Sequence, residues 1–408
     1  MRLLAPLGRL HAGHWLGLAA FLYLPLAVLA PKGETALLLF VALPLLARLA
    51  IRRRLVPHFR RPLGIVLGLL LGWALTSVLW SIVPDETLSL LKSLIVIFLA
   101  ALTTVAAAGE LETHERRTVA GLALAGLGLG LVLLVIELAA GLPLANLLRG
   151  PRPGLPQLEL SMLNAGLVAL LIVMWPLALE LGRRRAGAGA LLLLLAAVLV
   201  LWGVSASAKL ALGLAALVGL AVFFGGRRAL RIFAVLVVAG IALAPVVPRT
   251  VLTPERFAAS FPELRDSALH RVHIWDFSAR TIAQRPLVGW GLDSSRAIPG
   301  GQVEAIEHGP YMSLHPHNAA LQMWLELGLP GAAAFAALAL IGLIAAGRLE
   351  TWQRAAAAAA LAAALGVASL SFGIWQNWWL ATLALAAAIT TALLGEGEKP
   401  SQAKPPLI

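Results

Sequence analysis

The 408-residue chain has no cysteine, so disulfide frameworks and thiolate metal sites are excluded, and cysteine usage gives no guide to its redox compartment. Charge is scarce as well. Asp, Glu, Lys and Arg make up only 13% of the residues, about half the share of a soluble domain. Apolar residues fill the gap: 60% of the chain is hydrophobic, mean hydropathy is +0.88, and apolar stretches reach the roughly 20 residues that cross a bilayer. This composition is that of a polytopic membrane protein. The formal charge of +12 does not point to nucleic acid, because the basic residues sit in short clusters between apolar runs and not on one polar domain.

Apolar segments fall at 13–30, 35–51, 63–83, 88–108, 118–141, 160–181, 187–204, 208–224, 230–247, 319–346, 355–372 and 375–394. The fold expected is all-α, with about twelve transmembrane helices and one large loop containing short helices. It divides into helices one to nine (1–248), a polar loop (249–318), helices ten to twelve (319–394) and a polar tail (395–408) expected to be disordered. The first segment has the basic start of a signal peptide, but no small-residue cleavage site follows, and it is expected to be retained as a span. Short basic connections such as "RRRLVPHFRR", "GRRRAGAG" and "GGRRALR" fall on one side of the alternating topology, which makes that side cytoplasmic. The loop 249–318 and the hairpin "VSASAK" face the other way.

The polar loop contains "RDSALHRVHIWDFSARTIAQRP", in which Leu269, Val272, Trp275, Ala279 and Ile282 recur at helical spacing until Pro286 stops the helix. Seven arginines fall between 249 and 318. Long loops translocate whatever their charge, which is one reading; the other is an anion site, for which the planar guanidinium fork suits phosphate. Just beyond lies "SLHPHNAALQMWLELGLPG", two histidines and an asparagine at the head of an apolar run. Pro316 disfavours a helical conformation at His315, which is expected either to assist His317 or to serve structure. With no cysteine and no third ligand at a recognisable spacing, no metal site is expected. Asn318 is a candidate helix N-cap or a partner of the neighbouring imidazole. Glu326 lies two turns into the helix, where a charge is expensive; it is a functional candidate or the partner of an arginine. Gly328 and Gly331 read as helix-packing residues, and "WQNWW" (375–379) as an interfacial aromatic belt or a sugar-stacking face.

Two elements of this region resemble a known family. His317, Asn318, nine residues, Gly328, two residues and Gly331 are similar to the H-[N/S/Q]-x9-G-x-x-G signature of the O-antigen ligases, membrane enzymes that attach polysaccharide to the lipid A core. Upstream, "HRVHIWDFSARTIAQRPLVGWGLD" resembles the R-x-x-x-W…P-L-x-G-x-G pattern that this superfamily, O-antigen polymerases included, carries in its large periplasmic loop. The motif region runs from Arg271 to Gly331, and the hydropathy pattern extends the likeness over the rest.

The resemblance implies an enzyme of the bacterial inner membrane with its active site facing the periplasm. Its donor would be a glycan on undecaprenyl pyrophosphate and its acceptor a lipid A core sugar. Transfer would invert the anomeric centre and require no cofactor or metal. It implies His317 as the base and Arg271, with Trp275 nearby, as the first candidate for the pyrophosphate. Lys209 in "SASAKLALG" stands where family members commonly carry Arg; it keeps the charge and loses the fork, and a lysine that merely snorkels to the interface is the plain alternative. Two other readings stay open. One is a polymerase or protein glycan transferase of the same superfamily, whose acceptor is another lipid-linked glycan or a protein. The other, least favoured, is a secondary transporter, for which Lys92, Glu137 and Glu180 are the candidate embedded charges.

Overall fold

The computed structural model of the protein describes residues 11–150, 160–264, 267–306 and 309–395. The expected tail beyond 395, the "PRPGLPQ" loop and the N-terminal "MRLLAPLGRL" lie outside these residues. The described chain is a succession of helices: α1 (Ala12–Leu29), α2 (Gly33–Ile51), α3 (Leu55–Phe59), α4 (Pro62–Thr76), α5 (Pro84–Gly109), α6 (Thr113–Ala139), α7 (Pro143–Arg149), α8 (Asn164–Arg184), α9 (Ala188–Trp202), α10 (Ala206–Leu243), α11 (Val247–Thr250), α12 (Pro254–Ser260), α13 (Ser267–Ile282), α14 (Ala319–Gly347), α15 (Thr351–Ala368) and α16 (Asn377–Leu394). Among the described residues, 9 helical segments are long and apolar enough to cross a membrane, and the protein is an all-α polytopic membrane protein. The difference from about twelve has physical causes. The apolar α9 is only 15 residues long, the alanine-rich α15 is less hydrophobic, and α10 takes in two of the expected segments. A single non-helical residue, Gly226 (φ 56, ψ −139), separates those two within α10.

The described chain forms two compact units. The first comprises residues up to His58, Ala100–Val204 and the chain from Ala381 onward. Two of its buried acids, Glu115 and Glu137, have local employment. Glu115 pairs with Arg48 at 2.8 Å and completes a capping box at the start of α6. Glu137 accepts from the backbone N–H groups of Leu144 and Ala145 at 2.9 and 3.0 Å, so it caps the short α7. Glu180 pairs with Arg184 on the same helix. Two of the three charges that a transporter would have needed are thus committed to helix ends and surface pairs.

The second unit comprises Phe59–Leu99 and Ser205–Leu380, and it carries every candidate site residue. Here α15 buries its alanine run, whose small side chains let it lie close along α10. The polar loop folds onto the first half of α14: Ile274, Ile282, Ile298 and Met312 from the loop form one apolar cluster with Leu321 and Leu325. A two-stranded antiparallel hairpin, β1 (Glu304–Ile306) with β2 (Gly309–Pro310), is the loop's only extended element among the described residues.

Candidate active site

The local chemistry begins with "GLPG". Pro330 lacks an N–H, and its ring excludes the carbonyl four residues back, that of Glu326, from the helical ladder. Helix α14 breaks there, at Gly328 (φ 64, ψ −154). The carbonyls released by the break are taken up by the "PLVGWG" loop: Trp290 N–H donates to Leu325 O and Gly291 N–H to Glu326 O, both at 2.9 Å, while Leu329 N–H donates to Pro286 O at 3.0 Å. Trp73 of α4 adds its indole N–H to Leu327 O at 2.8 Å. Arg285 lies 4.2 Å over the Trp290 ring, a cation–π contact that pins the loop. A Cβ on Gly289 would run into the Glu326 carbonyl, and one on Gly328 into the Leu287 carbonyl. Gly289 and Gly328, one from each motif, therefore serve one backbone junction, and Gly328 is a helix break where helix packing was expected.

At the head of α14 the chain turns through His315, Pro316 and His317. His317 adopts a left-handed backbone (φ 53), an uncommon state for a residue with a side chain. Three hydrogen bonds hold it. Its own N–H donates to Nδ1 of His315 at 3.1 Å, Trp275 of α13 donates its indole N–H to Pro316 O at 2.9 Å, and Asn318 caps the helix by accepting from Leu321 N–H at 3.0 Å. Trp275 and Asn318 thus fix the turn. His315 does the same: burial, then the neighbouring His317 and Arg296, push its imidazole down to about 3, and a neutral ring with a bare Nδ1 is what the His317 N–H requires.

The His317 ring lies 4.2 Å from that of His315, and its Nδ1 lies 2.7 Å from the carbonyl of Ser371. A carbonyl only accepts, so Nδ1 carries the proton and Nε2 bears the free lone pair. Burial lowers the affinity of His317 for a second proton; the Ser371 carbonyl opposes this, and the positive charge of Arg271 reinforces it. The result is a neutral imidazole with a basic nitrogen at ordinary pH. Arg271 is half-buried on α13, and burial lowers its pKa without discharging a guanidinium. It makes no ion pair with any described residue.

Lys209 is exposed near the start of α10, where its backbone N–H donates to Ser205 O at 3.2 Å; no described side chain engages its ammonium. Glu326 is fully buried and, among the described residues, has no arginine partner. Its four donors are Ser295 Oγ (2.5 Å), Gln322 Nε2 (3.0 Å), Asp293 N–H (2.7 Å) and Trp375 Nε1 (2.6 Å). Trp375 and Trp379 are buried, so this part of "WQNWW" is internal where an interfacial belt was expected. Sequence reasoning missed Ser371, Gln322 and Ser295, and it read Trp375 only as part of an aromatic belt or a sugar-stacking face. A backbone carbonyl has no sequence signature, but the polar break "SFGIWQN" between two apolar helices marks the segment that supplies it.

Residues 190–336 match the O-antigen ligase family. That stretch takes in Lys209, Arg271, His317 and both motif glycines. The chain is 32% identical over 235 residues to a protein of Rickettsia conorii named "Putative polysaccharide ligase", an alignment covering 55% of this chain and 56% of that protein. It is 32% identical over 192 residues to one of the same name from Rickettsia prowazekii, covering 45% and 47%. The chain thus spans about half the length of these relatives.

Proposed function

We propose that this chain, which carries the domain of the O-antigen ligase family over residues 190–336, is a polysaccharide ligase that transfers a glycan from undecaprenyl pyrophosphate to a hydroxyl of a lipid A core sugar. The family, the curated relatives named for polysaccharide ligation and the membrane-spanning helices support glycosyl transfer in a membrane. The observation that carries the mechanism is the His317–Ser371 hydrogen bond, which leaves Nε2 as a neutral base whose proton affinity the Arg271 guanidinium lowers.

In this reading His317 Nε2 takes the proton of the acceptor hydroxyl as its oxygen bonds to the anomeric carbon from the face opposite the leaving group. The bond from that carbon to the pyrophosphate oxygen breaks, the electron pair leaves with the pyrophosphate, and Arg271 stabilises the departing charge. Lys209 contributes a second cation to the donor. The site lies on the periplasmic face of the bacterial inner membrane, and no cofactor enters the reaction.

The test is reconstitution of the purified protein with undecaprenyl-pyrophosphate glycan and, separately, with lipid A core or a second glycan-lipid as acceptor. Glycan on lipid A core establishes ligation; chain growth on the glycan-lipid makes the protein a polymerase. Folded protein that transfers to neither overturns the enzyme reading, and uptake assays for a transported substrate follow.

A further inference from the structure

Glu326 is not needed as a base, an acid or a counter-ion in the reaction just described, yet it is 0% exposed and accepts four hydrogen bonds. Burying a carboxylate is costly unless every lone pair is engaged, and here the donors come from three separate stretches of chain. Ser295 and the Asp293 N–H belong to the turn that follows the "PLVGWG" loop. Gln322 lies one turn earlier on α14 itself. Trp375 belongs to the turn between α15 and α16.

The connection to the histidine runs through that last turn. Gln322 donates through Nε2 to Glu326 at 3.0 Å and accepts through Oε1 from the Ile374 N–H at 3.0 Å, while the Trp375 indole reaches the carboxylate directly at 2.6 Å. Two successive residues of the turn are thereby tied to one buried acid. Three residues before Ile374 is Ser371, whose carbonyl holds the Nδ1 proton of His317. Between them Gly373 packs so closely on the His315 ring that a Cβ there would meet it at 2.8 Å. Glu326 and the Ser371 carbonyl that faces His317 are thus linked through one short turn.

We propose that Glu326 is the positioning residue of this site: through Trp375 and Gln322 it sets the 371–375 turn so that the Ser371 carbonyl keeps the proton of His317 on Nδ1 and leaves Nε2 free. This rests on the reading of His317 as the base, and the acid itself touches neither substrate nor reacting atom. A glutamine at 326 keeps the shape but replaces one acceptor oxygen with an amide donor, which then faces a donor already present. Phenylalanine at 375 removes one donor and leaves the carboxylate intact, so it perturbs the turn more gently.

The experiment is ¹⁵N NMR of histidine-labelled protein in nanodiscs, with the His317 resonances assigned by their loss in H317A, alongside steady-state transfer from the lipid-linked donor. In the wild type His317 shows a protonated Nδ1 and a bare Nε2. In E326Q, and to a smaller degree in W375F, the Nδ1–H population is lost or averaged with the other tautomer. In the same variants kcat falls by about a hundredfold for E326Q, with the KM for donor unchanged. Folded E326Q with the wild-type tautomer and kcat overturns the proposal. If E326Q does not fold, W375F decides: an unchanged tautomer and kcat there overturn it equally. The NMR readout does not depend on transfer, so a protein that proves to move no glycan still reports whether Glu326 sets the imidazole.

Discussion

His317 gives its Nδ1 proton to the carbonyl of Ser371 at 2.7 Å, across 54 residues of sequence. That bond joins the head of α14 to the turn before α16 and decides which ring nitrogen can act. Arg271 adds its charge to the same imidazole. In the proposed reaction the two residues have opposite duties, one neutral and basic, one permanently cationic.

The pH profile should show this tuning. Burial and the Arg271 charge both lower the His317 pKa, so the acid limb of kcat/KM lies below the ordinary imidazole value of about 6.5. Replacing Arg271 with glutamine removes a positive neighbour, and the limb moves to higher pH. Arg271→Lys keeps the charge and leaves the limb in place. Both lose the guanidinium fork, so both slow transfer, the glutamine variant by about 10²-fold or more. Transfer rates measured from pH 5 to 8 check each point.

His315 makes a prediction about stability. Its folded value of about 3 lies below that of the unfolded chain, so in the interval between them the unfolded state binds more protons. The stabilisation from a neutral His315 is complete above about pH 6.5 and is lost as pH falls towards its folded value. Melting in detergent should drop between pH 7 and pH 4, and drop less steeply in His315→Asn. Asparagine offers an oxygen where Nδ1 accepts, so this variant should also keep more activity than His315→Ala.

The glycine junction makes a prediction about folding. Gly289 and Gly328 have φ of 71 and 64 and face each other's neighbouring carbonyls. Gly328→Ala or Gly289→Ala adds both backbone strain and a clash, with strain alone costing on the order of 1–3 kcal/mol. Denaturation of either variant in detergent should occur earlier than for Gly240→Ala, where a Cβ meets nothing within 4 Å.

Lys209 is exposed and its side chain engages no described residue. Lys209→Ala should leave the melting temperature unchanged and raise the KM for lipid-linked donor several-fold, with Lys209→Arg restoring it or improving on the wild type. An unchanged KM in Lys209→Ala assigns the residue to the interface alone.

Much of the fold was legible because apolar length is a strong signal: each segment read from hydropathy falls on a helix. The exceptions came from what hydropathy does not register. The break in α14 is a backbone event at Gly328, set by Pro330 and completed by a loop some 40 residues upstream in sequence. At the site, Asn318 was read correctly as a cap, since capping is local chemistry. Glu326 was recognised as an expensive charge and a functional candidate, and the arginine offered as the alternative is not among its donors. Its four donors are three side chains and a backbone N–H from separate segments, and no arginine spacing foretells such a set.

The most direct test of the account is transfer from undecaprenyl-pyrophosphate glycan by purified wild type and His317→Ala protein of matched thermal stability. Wild-type protein should transfer glycan and the variant should fall by about 10²–10⁴-fold, the range a positioned base supplies. A folded His317→Ala protein that transfers glycan at the wild-type rate would contradict it.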